Sequence, residues 1–221
     1  MKDSNGISRS VIARLPRYYR FLGDLEKKGT SRISSKDLAE MMGLTASQIR
    51  QDLNCFGGFG QQGYGYNVTE LRGKLADILG LGKTYTAILI GAGNLGRAVA
   101  GHMSFEDRGF RLIGIFDVDP LYKGIKIRGL PILQDNMLPE FCAASAPDMA
   151  VLCVPSDAAA PMVKQLIDCG IRSFWNFSHY DIKRDYPEAI VENVHLNDSL
   201  MTLSYKIKNR QDEKNDPDCQ P

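Results

Sequence analysis

The sequence predicts a mixed α/β chain in two parts, a helical N-terminal part and a C-terminal parallel α/β part. Three observations predict it. Up to about Gly82 the apolar residues recur at helical spacing, broken by a run in which five of the nine residues from Gly57 to Gly65 are glycine. From Tyr85 onward short apolar runs alternate with helical segments, the pattern of a parallel sheet. The change of period falls at "LGKT", Leu81 to Thr84, a natural boundary. At 221 residues and 43% hydrophobic content the chain can fill two cores.

The first helix is expected from Ile7 to Lys28, where Val11, Ile12, Leu15, Tyr18, Tyr19, Leu22 and Leu25 share a face. Pro16 should start or kink it, and Gly29 closes it. Next, Ser34 or Ser35 caps a short helix to about Met42, Gly43 makes the turn, and Thr45 caps a further helix to about Asn54. Two short helices joined by a glycine turn have helix-turn-helix spacing, with Ala39, Leu44, Ile49 and Leu53 holding the pair together. An ordinary helical hairpin has the same pattern. The glycine run that follows alternates with Phe56, Phe59, Tyr64 and Tyr66 and has a helix, not a strand, before it. It fits a tight β-hairpin better than a phosphate loop, a wing with Gln61 and Gln62 at its tip. "NVTELRGKLADILG" is one more helix, capped at Asn67 or Thr69.

In the second part, "TAILIGAGNLGRAVAGHM" reads as strand, glycine turn and helix. "FRLIGIFDVD", "DMAVLCVPS", "IRSFWNFS" and "IVENVHL" read as further strands, and "AAAPMVKQLIDCG" as a helix. "NDSLMTLSYKIKNR" is a terminal amphipathic helix, and the polar tail after it is expected to be disordered.

Gly91-Ala92-Gly93-Asn94-Leu95-Gly96 matches G-x-G-x-x-G between a strand and a helix, and Asp117 ends the next strand 21 residues past Gly96. Gly91 permits the tight turn, Gly93 lets the backbone approach a pyrophosphate, and Gly96 lets helix and strand pack closely. The helix N-terminus attracts the phosphate charge. Asp117 accepts from the ribose hydroxyls and repels a 2′-phosphate, which selects NAD over NADP. Asp119 is a second contact or a turn former. A Rossmann domain that uses these glycines only for packing is the plain alternative.

Bulk composition narrows the function classes. Residues 1–82 hold 12 basic and 8 acidic side chains, and residues 83–221 hold 15 and 18, so the first part suits a polyanion. The five cysteines are scattered with no C-x-x-C pair, which argues against a metal site or disulfide framework. No apolar stretch reaches membrane-spanning length and the first ten residues lack a signal-peptide core, so a cytoplasmic location is expected. About 115 residues of Rossmann domain leave no room for a catalytic lobe, and His179, the best candidate acid, reads better as structural. The expectation is a regulator without catalytic activity. The alternatives are an NAD-dependent oxidoreductase carrying a DNA-binding or dimerisation module, and a regulator that senses another nucleotide such as ATP or ADP.

Several segments carry a specific resemblance: "SRSVIARLPRYYRFL", "SSKDLAEMMGLTASQIRQDLNCFGGFGQQGYGY", "LIGAGNLGRAVA", "IFDVDP", "WNFS" and "VENVHL". They span about Ile7 to Lys208 and resemble the Rex family of redox-sensing transcriptional repressors. The resemblance implies a winged-helix domain at residues 1–82, a Rossmann NAD(H)-binding domain at 83–197, a domain-swapped C-terminal helix at 198–210 and a tail at 211–221. It also implies a homodimer that binds a pseudo-palindromic operator in double-stranded DNA when NADH is low. NADH then causes release, while NAD+ binds without causing it.

By residue, the resemblance makes Thr45 to Asn54 the recognition helix, with Thr45, Ser47, Gln48, Arg50 and Gln51 at the DNA. Arg14 and Arg17 reach phosphates, and Gln61, Gln62, Gly63 and Tyr64 enter the flanking minor groove. Gly91 to Gly96 and Asp117 bind the dinucleotide, with Val154, Pro155, Asn176 and Phe177 at the nicotinamide end. The chain departs from the family in places. Gln51 stands where a lysine is common and Gln61-Gln62 where the wing tip is often basic, which lowers the expected salt dependence. Of the family's coupled arginine, tyrosine and aspartate, Arg20 matches the first, His102 falls at the tyrosine position and His195 at the aspartate position. Asp198 is the nearby carboxylate that can substitute, and the two histidines are expected to add pH dependence.

Overall fold

A computed structural model of the chain describes residues 7–59 and 64–215. It divides into two compact units, Met1–Lys83 and Thr84–Pro221.

In the first unit, helix α1 (Arg9–Lys27) starts where the Ser8 hydroxyl accepts from the Val11 N–H. It runs through Pro16 without starting there, and buries Val11, Leu15, Tyr18, Leu22 and Leu25 on one face. Strand β1 (Arg32–Ile33) follows, a strand too short for periodicity to reveal. Helix α2 (Ser35–Met42) is capped by Ser34, whose hydroxyl accepts from the Asp37 N–H at 3.0 Å. It ends at Gly43, whose φ of 62° few other residues adopt. Helix α3 (Ala46–Asn54) is capped by Thr45, which accepts from the Gln48 N–H at 3.1 Å. Ile49, Asp52 and Leu53 are its buried residues, so Ser47, Arg50, Gln51 and Asn54 face outward.

Strand β2 (Tyr66–Asn67) pairs antiparallel with β1, Ile33 opposite Tyr66. The strand leaving the glycine run thus returns to pair upstream of the helix-turn-helix, and the tip of the expected hairpin, residues 60–63, lies outside the described residues. Gly65 is the hinge of this return, with φ of 68° and a position where a Cβ would lie 2.5 Å from the Ile33 carbonyl oxygen. Gln61, Gln62 and Gly63 lie outside the described residues. Helix α4 (Val68–Ile78) is capped by Asn67. Leu15, Tyr18, Leu22, Leu38, Met42, Ile49, Leu53, Leu71 and Leu75 form one apolar core.

The second unit is built on a seven-stranded sheet. Its strands are β3 (Tyr85–Ile90), β4 (Phe110–Asp117), β5 (Lys126–Ile127), β6 (Leu130–Gln134), β7 (Met149–Leu152), β8 (Ser173–Asn176) and β9 (Ile190–Asn193). The order is β5-β6-β4-β3-β7-β8-β9, parallel except where β5 meets β6. β3 is flanked on both sides, and its residues Ala87 to Ile90 are at most 2% exposed, which explains their unbroken apolar run. Helices α5 (Asn94–His102), α6 (Leu138–Ser145), α7 (Ser156–Asp168) and α8 (Ile182–Asp185) connect the strands. One core layer joins Ile88, Ile90, Leu138 and Val163, and the other joins Leu89, Val99, Ala100 and Ile115.

The last helix, α9 (Leu196–Asn215), begins before and ends after the expected segment. The tail expected to be disordered from 211 is thus helical to Asn215, and residues 216–221 lie outside the described residues. Among the described residues no helix is long and apolar enough to cross a membrane.

Candidate dinucleotide and nucleic-acid sites

The chain leaves β3 at the point where the sheet order reverses, with β4 on one side and β7 on the other. A crevice outside the carboxyl ends of β3 and β7 is where open α/β sheets hold ligands. The three fingerprint glycines have three different surroundings here. Gly91 has φ of 93°, and a Cβ on it would lie 2.6 Å from the Cys153 carbonyl oxygen. A Cβ on Gly96 would lie 1.8 Å from the Gly91 carbonyl oxygen. At Gly93 a Cβ would meet nothing within 4 Å. The first and last glycines are therefore required by packing, and the middle one faces open space over the start of α5. No side chain caps that helix, so the N–H groups of its first turn stay available to an anion. The residues present thus fit a dinucleotide pyrophosphate.

Asp117 ends β4 with its carboxylate turned to this turn. One oxygen accepts from the Ala92 N–H and the other from the Asp119 N–H at 2.8 Å. Asp119 caps the next turn by accepting from the Leu121 N–H at 2.9 Å, so it is a turn former. Asn94 accepts from Arg97 at 3.0 Å, and Leu95 is exposed. On the β7 side, a Cβ on Gly91 would lie 3.0 Å from Val154 Cγ1, which puts Val154 beside the glycine turn, with Pro155 following as the cap of α7.

Asn176 corrects the expectation of a ligand contact. It is fully buried, its NH2 donates to the Tyr180 carbonyl (3.0 Å) and Asn193 Oδ1 (2.8 Å), and its oxygen accepts from the Ser178 N–H (3.0 Å) and hydroxyl (2.6 Å). The amide has no capacity left for a ligand. It braces the loop that presents Phe177, whose ring packs 4.7 Å from Trp175.

His195 precedes α9 and stacks on His179, ring centroids 5.6 Å apart and planes within 5°. The His195 Nδ1 is buried with no partner. Sequence reasoning set His179 aside and missed this pairing, since the two residues are brought together only by adjacent strands β8 and β9. His102 ends α5 and is exposed, and Asp198 is exposed in the first turn of α9. Arg20 is exposed on α1, its guanidinium 5.9 Å from the Phe21 ring centre.

Burial pushes the Cys142 thiol up to about 11 and the Cys153 thiol up to about 12, while Cys55 is exposed at the end of α3. Since the thiolate is the reactive form, iodoacetamide at about pH 8 should modify Cys55 and spare Cys142 and Cys153. Peptide mass spectrometry checks this, and alkylated Cys153 in the folded protein would contradict it.

On the first unit, Arg50 is exposed and donates to the Ser35 hydroxyl at 2.9 Å. Arg17 donates to the Met42 carbonyl at the end of α2. Tyr64 is 71% exposed, and Arg32 donates to its carbonyl at 3.2 Å with its guanidinium 5.9 Å from the ring, a basic residue beside Tyr64 that the sequence did not single out. Arg14, expected at a phosphate, is engaged within its own unit. Its Nε and one Nη hold the two oxygens of Asp52, at 2.7 and 2.8 Å. The Tyr18 hydroxyl donates to the same carboxylate at 2.7 Å. Burial pushes the Asp52 carboxyl up, but the hydrogen bonds from Arg14 and Tyr18 outweigh it and hold the carboxyl below its ordinary value of 3.8.

A group whose folded pKa is depressed adds stability above its unfolded pKa and loses it as the pH falls through the folded value. The stability difference between the unaltered chain and Asp52→Asn should therefore be constant near neutrality and shrink below about pH 4. Urea unfolding against pH measures it, and a difference constant to about pH 2 would contradict it.

Among the described residues no group of three or more His, Cys, Asp or Glu could hold a metal ion.

Comparison with known proteins bears on both units. Residues 6–54 match a family model described as "Putative DNA-binding protein N-terminus", and residues 82–180 match one described as "CoA binding domain". The redox-sensing transcriptional repressor Rex of Thermoanaerobacter pseudethanolicus is 52% identical over 207 residues, 94% of this chain and 92% of that protein. A crystal structure of RSP in complex with β-NAD+ and operator DNA superposes with a TM-score of 0.86 at 51% identity, covering 95% of this chain and 96% of that one. A structure of RSP in complex with β-NADH superposes equally well, at 48% identity over 95% and 98% of the two chains. With a DNA-binding motif on one unit, a dinucleotide fingerprint on the other and this identity along nearly its whole length, the chain belongs to the Rex family of redox-sensing transcriptional repressors.

Proposed function

We propose that the protein is a transcriptional repressor that senses the NADH/NAD+ ratio. It binds a pseudo-palindromic operator when NADH is low and releases it when NADH binds. The observation that carries this is the pairing of an outward-facing α3 surface, Ser47, Arg50 and Gln51, with an open glycine turn at Gly93 on a separate unit. Each ligand prefers a different arrangement of the molecule, and the linkage is reciprocal.

The protein acts as a homodimer without catalytic activity. Leu196, Leu200, Met201, Leu203, Tyr205 and Ile207 of α9 are each at least half exposed within one chain. A helix with that much uncovered apolar surface is stabilised by a partner, and we assign it to the second subunit. Arg20 on the first unit, and His102, His195 and Asp198 on the second, take part in the switch, and His179 stacks on His195.

Titration of the purified protein with NADH, NAD+, ATP and ADP in competition tests the ligand assignment. NADH and NAD+ should bind and the adenine mononucleotides should not displace them. Preference for ATP or ADP, or turnover of NADH with small aldehydes or keto acids, would overturn it.

A further inference from the structure

The recognition segment contains Arg50-Gln51-Asp52-Leu53, and the DNA and dinucleotide roles above leave Asp52 unused. Asp52 is 3% exposed, yet it belongs to a nine-residue helix whose opposite side faces outward. Its carboxylate receives three hydrogen bonds, all from α1: two from the Arg14 fork and one from the fully buried Tyr18 hydroxyl. Arg14 and Tyr18 stand one helical turn apart, so one face of α1 grips one carboxylate.

We propose that Arg14, Tyr18 and Asp52 form a clamp that sets the orientation of the recognition helix, so that Arg14 and Asp52 are positioning residues for DNA reading and Arg14 contacts no phosphate. The inference rests on the DNA-binding reading above. Ile49 and Leu53 anchor α3 by apolar contact, which resists separation but constrains rolling weakly. A bidentate guanidinium–carboxylate pair fixes both distance and angle. Asp52 lies two residues beyond Arg50, roughly 200° around the helix, so the clamp holds the face opposite Arg50. Stability alone does not call for such a pair, because apolar residues of similar volume hold a helix as well or better. Arg17, donating to the Met42 carbonyl, ties the end of α2 to the same helix α1.

The dependence of affinity on salt separates positioning from phosphate contact. A side chain that neutralises a phosphate contributes about one to the slope of log K against log salt, and a positioning side chain contributes nothing. The unaltered full-length chain first selects a duplex from a random pool. Its affinity for that duplex and for an unselected one is then measured between about 50 and 200 mM KCl. The same is done for Tyr18→Phe and for the double variant Arg14→Met with Asp52→Asn, which leaves no unpaired buried charge. Circular dichroism and NADH titration check the fold.

The double variant should bind the selected duplex about tenfold more weakly or worse, a loss of about 1.4 kcal/mol, with unselected binding and salt slope unchanged. Tyr18→Phe, which keeps the ion pair, should weaken selected binding by about threefold, again at constant slope. A slope lower by about one, with both duplexes weakened together, would overturn the clamp in favour of a phosphate contact. Unchanged selected binding in both variants would overturn it as well. Failure of the unaltered chain to enrich any duplex would instead defeat the DNA-binding reading beneath it.

Discussion

Replacing Gly96 with alanine should unfold the second unit at markedly lower temperature and abolish NADH binding. The added Cβ would lie 1.8 Å from the Gly91 carbonyl oxygen and 2.9 Å from its carbon. Both are backbone atoms of the tight turn, so no side-chain rotation relieves the clash. Helix α5 must withdraw from the strand, which costs about 3 kcal/mol or more, at the upper end of overpacking effects. For a unit of this size that corresponds to a drop in Tm of about 10 °C. Withdrawal also misaims the N–H groups that face the pyrophosphate.

Gly93→Ala is the paired contrast. Its Cβ meets no atom within 4 Å, and its φ of −65° suits any residue. Tm should change little while NADH affinity falls about tenfold or more, because the methyl group occupies space the pyrophosphate needs. Thermal unfolding and NADH fluorescence titration of both variants read the two effects separately. Normal NADH binding by Gly93→Ala would place the dinucleotide elsewhere.

Arg50→Ala should weaken operator binding by about fivefold to 150-fold, the loss of about 1–3 kcal/mol expected for a bidentate base contact. The Arg50 guanidinium is exposed and donates to the Ser35 hydroxyl at 2.9 Å, an exposed contact that is easily exchanged for one to DNA. NADH affinity should not change, since the glycine turn belongs to the other unit. Arg50→Lys retains the charge but not the fork, so it should recover unselected binding and leave the preference for the operator impaired. A fall in NADH binding together with operator binding would mean that the substitution damages the fold.

Much of the fold was legible because it rests on local signals. Thr45, Gly43 and the i, i+4 pattern of Ile49 and Leu53 specify the helix-turn-helix within a dozen residues. Gly91 to Gly96 and Asp117 specify the dinucleotide turn by spacing alone. Signals that depend on distant partners were not legible. β1 and β2 are two residues each and exist through their mutual pairing. β6 contains Pro131, and the short β5 beside it gives no alternating pattern to read.

The same limit applies to the sites. Arg14 reads as a surface cation until its partner 38 residues away is placed beside it. Asn176 reads as a ligand contact from its position at a strand end, and only the converging Ser178, Tyr180 and Asn193 show its amide to be engaged. The Tyr18 hydroxyl, fully buried one helical turn from Arg14, is the one feature of α1 that calls for a buried acceptor.

The most direct test of the redox switch is fluorescence anisotropy of a labelled palindromic duplex bound by the purified protein, titrated with NADH and separately with NAD+. NADH should release the duplex at concentrations where NAD+ leaves the complex intact. Tight DNA binding indifferent to both dinucleotides would contradict it.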